Sequence, residues 1–405
     1  MSTIFQICVE GNTGSTGRIA EEIGVLALNK GWNSYIAYGR FPRPSKSRLI
    51  RIGSNWDIFF HGLQTRFFDR HCLGSRRATI RLVNQIQSIK PDIIHLHHLH
   101  GYYINIEILF EYLSKAAIPV VWTFHDCWSI TGHCTHFDYI GCDKWKTECN
   151  QCPQKREYPA SLILDRSIEN YYLKKRLFTS IKSMTIVPVS NWLENIVHKS
   201  FMGNIPIKTI HNGIDLLIFK PQNRMFETRE KYSIGSNLFL ILGVANPWTM
   251  KKGLNDFIEL SKHLNADELI VLVGLNENQL KQLPSNIIGL TKTENQLELI
   301  DLYSAADLFV NLSVEETFGL TTAEALACGT PAIVYNATAC PEIVDVETGI
   351  VVDKKDLEGL INAVKSVKKK GKIYYSNACR KRAVERFNKT ERLSEYFQLY
   401  ENMIK

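Results

Sequence analysis

The sequence predicts an α/β protein made of two doubly wound halves. Apolar, β-branched runs alternate with helical segments along the chain, and the pattern restarts after a junction at "NIPIKTIHNGID", residues 204–215. A chain of 405 residues is also long for a single hydrophobic core. In the first half the strand-like runs are "TIFQICV", "SYIAYG", "PDIIHL", "IPVVWTF" and "MTIVPVS". In the second they are "LFLILGV", "ELIVLVG", "NIIGL", "DLFVNLS", "TPAIVY" and "GIVVD". Thr293 to Gln296 has the spacing of a capping box opening the helix "ENQLELIDLYSAA". The expected domains are 1–208, with a cysteine-rich insertion at 127–159, and 209–386. A last helix over 387–405 is expected to pack back on the first domain. Two such domains facing one another leave an interdomain cleft at the carboxyl ends of their strands, where ligands of α/β proteins bind.

Composition narrows the function classes. Hydrophobic residues make up 45% and charged residues 22%, the balance of a soluble globular protein. No apolar run reaches the roughly 18–20 residues of a membrane span, and "MSTIFQICVEGN" lacks the marks of a signal peptide. The expected location is cytoplasmic. The net charge of +7 sits in the first half: residues 1–200 hold 24 Lys and Arg against 16 Asp and Glu. Ten basic residues lie in Arg40–Arg81, where only Asp57 and Asp69 oppose them, and "WDIFFHGLQTRFF" places aromatics among them. Such a segment can rest on an anionic membrane surface. The commoner outcome is a helix that turns Trp56, Phe59, Phe60, Phe67 and Phe68 into the core. No helix-turn-helix, zinc-finger or RNP-like pattern points to nucleic acid.

The loop "EGNTGSTGRIAEEIG" after the first strand has the glycine spacing of a dinucleotide site. A dehydrogenase would need an acidic residue at the end of the second strand, and "SYIAYGRFPRP" has none. The stretch richest in chemistry is "DLFVNLSVEETFGLTTAEALACGTPAIVY", 307–335, a strand, loop, helix, turn and strand with Glu316 and Glu324 on either side of "FGL". Backbone N–H groups of Phe318, Gly319 and Leu320 at a helix start suit phosphate or hexose oxygens. Lys252 in "MKKGL" sits at another helix start, where a bound diphosphate would relieve its clash with the macrodipole. Read alone, Thr321–Glu324 is a capping box. Glu315 reads as a solvated neighbour of Glu316.

These motifs, with "HNGIDLLIFKP", "LGVANPWTMKKGL", "LYSAADLFVNLS" and "HDCWSITGHC", resemble the retaining glycosyltransferases of family 4, in the bacterial colanic-acid and capsular-polysaccharide branch. The resemblance covers most of the chain. It implies the GT-B fold and transfer of a hexose from a nucleotide sugar to a polysaccharide or lipid-linked acceptor, at the inner face of the membrane. The alternative is another GT-B reaction, such as a sugar-nucleotide epimerase or a phosphorylase. By resemblance, Glu324 takes the ribose hydroxyls, Glu316 the hexose hydroxyls, Lys252 the leaving diphosphate, and His125 lies near the transferred hexose. The family often has an arginine after the preceding strand; "GVANPWT" lacks it, and Lys251 is the nearest substitute. Gly14 and Gly17 would let backbone approach the diphosphate. Arg18 would be relieved by the same anion, unless Glu21 and Glu22 neutralise it. Gly274 is a further donor-side candidate. His97, His98 and His100, with His95 beside them, could bind a metal and are read here as an acceptor-side wall. No Asp-x-Asp pair follows a strand, so catalysis is expected to need no metal.

Ten cysteines are many for this class, and five fall in 127–152. Cys134, Cys142, Cys149 and Cys152 read C-x7-C-x6-C-x2-C, with His133 and His136 nearby, and form a candidate structural zinc site. Cys8, Cys328 and Cys340 read as packing residues.

Overall fold

The computed structural model describes residues 1–405. It divides into two compact units, 1–210 with 393–405, and 211–392.

The first unit holds β1 (Thr3–Glu10), β2 (Asn33–Arg40), β3 (Arg48–Arg51), β4 (Ile93–Leu96), β5 (Val120–Phe124) and β6 (Met184–Pro188), in the order β3-β2-β1-β4-β5-β6. All pairings are parallel. Central β1 and β4 are buried along almost their whole length, which suits continuous apolar runs covered by helices on both faces. β3 was not evident in the sequence: "RLIR" is four residues long, charged at both ends and at the sheet edge.

The helix Lys389–Ile404 brings the chain back to this unit. Its Tyr396, Phe397, Leu399 and Tyr400 join Ile4, Ile23, Ile93, Val121 and Ile210 in one cluster. Two of its hydroxyls also bond inward, Tyr400 with His95 Nδ1 at 2.7 Å and Tyr396 with Thr123 Oγ1 at 3.1 Å.

The helix Asn55–Phe68 opens on a capping box between Ser54 and Asp57 and ends at left-handed Asp69. Here the structure corrects the expected burial. Only His61 and Thr65 of this helix are buried, while Trp56 is 70% and Phe60 56% exposed, with Phe59, Phe67 and Phe68 also on the surface.

The second unit holds β7 (Phe239–Val244), β8 (Glu268–Val273), β9 (Ile287–Leu290), β10 (Leu308–Asn311), β11 (Ala332–Tyr335) and β12 (Gly349–Val352), in the order β12-β11-β10-β7-β8-β9. It is again wholly parallel. The helix after β9 starts two residues later than its sequence suggested: Asn295, not Thr293, caps it by accepting from the Glu298 N–H. No helix is long and apolar enough to cross a membrane.

Candidate active site

In each sheet the first strand of the unit is flanked by neighbours whose connections run to opposite sides. The loops after the two strands at this switch point diverge and open a crevice at their carboxyl ends. In the second unit the strands are β7 and β10, and the loops are 245–253 and 312–319. They are laced together: the Val314 N–H donates to Lys251 O at 2.9 Å, Lys251 pairs with Glu315 at 2.8 Å, and Lys252 pairs with Glu316. Lys252 lies in a helical turn, Met250–Lys252, just before the helix Leu254–Ser261. Glu315 is therefore no solvated neighbour. Its side chain is 3% exposed, and it engages Lys251, the residue offered as a substitute for the missing arginine.

The helix Leu320–Ala327 follows Gly319, whose φ of 101° is left-handed and turns the chain sharply into the helix. The first bonds to Gly319 O come from the N–H groups of Thr322 and Ala323. The amides of Gly319 and Leu320 thus precede the helical ladder and form a ready anion cradle. Phe318 is buried, its ring centroid 5.9 Å from that of His211 and 5.6 Å from that of Phe387. Its ring anchors the loop while its backbone stays at the helix start. Glu324 is not a capping-box partner, since the cap is Gly319 and makes no side-chain bond. Instead its Oε2 accepts from the buried Tyr303 hydroxyl at 2.9 Å, which orients the carboxylate. Gly274, with φ of 101°, lies so close to Ala245 O that a Cβ would collide with it. It joins the end of β8 to the loop after β7.

In the first unit the switch point lies between β1 and β4. The loop after β1 leads into the helix Gly14–Asn29. Its Asn12 side chain donates to Pro44 O at 2.6 Å, and the Thr13 hydroxyl to Phe41 O at 2.6 Å. A Cβ on Gly17 would lie 3.0 Å from Glu10 O and 3.3 Å from Asn12 N, so the helix start and the strand end meet backbone to backbone. Gly14 is left-handed, with the Glu10 carboxylate directly beneath it. Arg18 is exposed. Glu21 accepts from the Lys46 N–H at 2.7 Å and from the Ser45 hydroxyl.

The histidines after β4 separate into two groups. His95 and His97 are in the core. His97 bonds Gln6 Oε1 through Nε2 at 3.1 Å, and its Nδ1 lies 3.2 Å from His125 Nε2. It is buried behind His125 and so does not form part of an exposed wall. His98 and His100 instead meet Asp126, whose Oδ2 is 3.3 Å and 2.6 Å from their Nε2 atoms. The other ring nitrogens are bonded, His98 Nδ1 to Thr16 Oγ1 at 3.3 Å and His100 Nδ1 to Tyr158 OH at 3.1 Å. Burial drives His97 and His125 well below the usual histidine range and His98 down to about 4, so these rings are neutral. Burial alone would raise Asp126, but His100 and His98 outweigh it and hold the carboxyl far below its ordinary value. The result is one fixed anion packed against the buried rings of His98 and His100. His98, His100 and Asp126 place ligand atoms within 4.8 Å of one another; His100 is hydrogen-bonded to Asp126, while His98 Nε2 is buried without a hydrogen-bond partner.

The turn carrying His125 is held from below. Lys174, 2% exposed, donates to Trp128 O at 2.7 Å and Thr131 O at 2.9 Å. Its ammonium also sits 3.5 Å from the Trp128 ring centre. Sequence reasoning missed Tyr303, Asp126, Thr16 and Lys174. Asp126 had a signal, because it follows His125 in the quoted motif. Tyr303 had none, because only the fold sets it against Glu324.

Residues 29–216 match the family model described as Glycosyltransferase Family 4, and residues 225–386 that described as Glycosyl transferases group 1. The Escherichia coli K12 protein WcaC, assigned as a colanic acid biosynthesis glycosyl transferase, is 24% identical over 99% of this chain and 100% of its own. An Escherichia coli UDP-Gal:alpha-D-GlcNAc-diphosphoundecaprenol alpha-1,3-galactosyltransferase is 28% identical over 59% of this chain and 65% of its own. Among solved structures, Anabaena HepE in complex with UDP-glucose superposes with a TM-score of 0.69 at 15% identity, covering 99% of this chain and 100% of that one. A Rickettsia africae glycosyltransferase gives 0.70 at 18% identity, covering 100% and 99%. Two parallel-sheet units of this kind, matched along their length by solved glycosyltransferases, have the GT-B fold. The chain belongs to glycosyltransferase family 4, in the colanic-acid branch. The relatives are transferases, and the epimerase and phosphorylase readings are set aside.

Proposed function

We propose that the protein moves a hexose from a nucleoside-diphosphate sugar to a growing polysaccharide or lipid-linked saccharide, with retention of anomeric configuration. The observation that carries this reading is the switch-point cluster of the second unit. There a lysine, a helix-start amide pair and an oriented carboxylate follow one another around a single crevice. The diphosphate would sit on the amides of Gly319 and Leu320, with Lys252 exchanging part of its bond to Glu316 for a phosphate oxygen. Glu324, oriented by Tyr303, would take the ribose hydroxyls, and Glu316 the hexose hydroxyls. His125 is neutral and can bond a hydroxyl without bringing a charge to the sugar.

In the transfer the bond from the anomeric carbon to the phosphate oxygen breaks, and a bond to the acceptor oxygen forms on the same face. The acceptor proton passes to the departing phosphate. Lys252 and the helix start stabilise the charge that develops there. No step requires a metal ion.

The acceptor's lipid end would be met by the exposed aromatic helix, on the cytoplasmic side where the donor is available. The Leu162 and Leu164 N–H groups donate to Arg66 O at 2.7 Å and Phe67 O at 3.4 Å. These bonds set a second exposed apolar segment, Leu162–Leu164, beside Phe67 and Phe68. A neighbouring groove is lined by Phe60, Phe68, Arg70, Arg76, Arg77 and Arg166, a combination suited to anionic headgroups.

Thermal-shift titration with UDP, GDP and ADP, and then with their sugars, tests the donor half. One nucleotide should raise the unfolding midpoint, and its cognate sugar should be consumed only when acceptor is present. No shift with any of them would overturn the donor site. An inverted linkage, read by NMR at the anomeric centre, would overturn the mechanism.

A further inference from the structure

The chain between Phe124 and Ser167 holds only two three-residue helical turns, Trp128–Ile130 and Lys144–Lys146. So long a segment with little regular structure needs some other source of order. Part of it is the stacked pair Phe137 and Trp145, with ring centres 4.8 Å apart. Beside that pair, Cys134, Cys142, Cys149 and Cys152 line a single small cavity together with His133. The thiols of Cys134 and Cys152 are hydrogen-bonded to each other, and Cys149 lies near both Cys142 and Cys152. None of the four is in a disulfide.

Thiols are weak hydrogen-bond partners, and four of them around one cavity stabilise little by themselves. The groups around them are arranged for a more negative cluster. The Gln154 N–H donates to the Cys152 sulfur, and the Gly132 N–H to the Cys149 sulfur. Gln151, inside the C-x-x-C turn, is left-handed with φ of 42°, which curls the turn tightly. His133 is 2% exposed and gives its Nδ1 to Asp69 Oδ1 at 2.7 Å. Its Nε2 is buried without a hydrogen-bond partner. His133 lines the same cavity as the four thiols, its ring held in place by Asp69. The ammonium of Lys174 adds positive charge on the same side.

We propose that Cys134, Cys142, Cys149 and Cys152 bind one zinc ion in a closed, four-thiolate site. Four sulfur ligands favour tetrahedral zinc and leave no position for substrate, so the ion is structural. Binding releases the thiol protons to solvent, and the charge left on the cluster is met by the two amides and the nearby Lys174 ammonium. The ion would brace more than its own loop. The Thr131 hydroxyl donates to Cys134 O at 2.5 Å, and the Cys127 N–H to Thr135 O at 2.9 Å, which ties the cluster to the turn bearing His125 and Asp126. On the other side the Cys152 N–H donates to Asp165 Oδ2 at 2.6 Å, next to the exposed Leu162–Leu164.

The test is elemental analysis of the purified full-length protein, combined with mercurial titration of its thiols in the presence of a colorimetric zinc indicator. About one zinc per chain is expected, released in step with four thiols. Cobalt substitution should give the intense thiolate-to-metal absorption of a tetrahedral sulfur site. Cys152→Ser should lower the zinc content and the unfolding midpoint, while Cys8→Ser should leave the zinc content unchanged. Where Cys152→Ser fails to fold, the mercurial titration of the unaltered chain decides. Fewer than about 0.2 zinc per chain, iron or copper in its place, or a disulfide within the quartet would overturn the proposal. None of these readouts depends on sugar transfer.

Discussion

Glu324 and Glu316 lie in one motif and have different neighbours. Glu324 accepts a hydrogen bond from a neutral hydroxyl, that of Tyr303. Glu316 is paired with Lys252, so in the proposed site a donor would compete for the lysine while the glutamate turned to the hexose. Replacing Glu324 by Gln preserves shape and a hydrogen-bonding oxygen but removes the charge that two ribose hydroxyls would meet. Hydrogen bonds to a charged group contribute about 1.5–3 kcal/mol. Nucleoside-diphosphate affinity should therefore fall roughly ten- to a hundredfold by calorimetry, with the unfolding midpoint within about 3 °C of the parent. Unchanged affinity would remove Glu324 from the ribose site. At this scale the sequence was legible wherever a residue and its partner share a motif. It was silent where the partner comes from elsewhere: Tyr303 for Glu324, Thr16 for His98, and Lys174 for the turn after His125. It misjudged Glu315, because an acidic residue beside another gives no sign of burial until Lys251 is brought against it.

The two turns from a strand into a helix behave differently as elements. The second unit's turn ends in the open amides around Gly319. The first unit's turn is drawn tight by Asn12 and Thr13, with the Gly17 position pressed on the backbone of β1. A larger side chain at residue 17 must push the helix start away from the strand end, since the atoms it meets are backbone. Gly17→Val should lower turnover at least about tenfold while nucleoside-diphosphate affinity changes less than about twofold, because the proposed nucleoside contacts are residues of the second unit. An unchanged rate would show that this turn takes no part in transfer. The strands were easy to read because central parallel strands are apolar throughout. Only β3 escaped, its four residues carrying arginine at both ends. The helix Asn55–Phe68 shows the limit of periodicity. Its aromatics looked like a core face, yet the face that packs is formed by the small and polar His61 and Thr65.

At the scale of the whole molecule, two surfaces set its response to its surroundings, one buried and one exposed. Burial holds His61, His71, His95, His97, His98 and His125 below the ordinary histidine value of 6.5. The unfolded chain takes up protons below that pH and the folded chain does not, so stability is full above it and falls as the solution is acidified. Each such group costs about 1 kcal/mol between pH 7 and pH 5.5. His133 works in the opposite direction: burial would lower it, but its bond to Asp69 raises it. The net expectation, followed by circular dichroism, is a fall in unfolding midpoint of more than about 5 °C over that interval; a flat profile would mean these rings are not buried neutral. The exposed surface makes the last prediction. Trp56, Phe59, Phe60, Phe67 and Phe68 share the helix Asn55–Phe68, with arginines at 66, 70, 76, 77 and 81 on and beyond it. Apolar insertion and charge attraction are separable signals, and stable peripheral binding takes both. The protein should sediment with phosphatidylglycerol vesicles at low salt and remain in solution with phosphatidylcholine alone. Phe59→Ser with Phe60→Ser should weaken binding roughly tenfold or more, since each ring withdraws apolar area from water on insertion. Arg76→Glu with Arg77→Glu should weaken it comparably at low salt and far less at high salt, where attraction is already screened. The first pair exposes its side chains to solvent and the second lies at the groove rim, so neither should disturb donor binding in the second unit. If the serine variant binds vesicles as tightly as the parent, the aromatic face is not the membrane contact, and the lipid end of the acceptor must be met elsewhere on the chain.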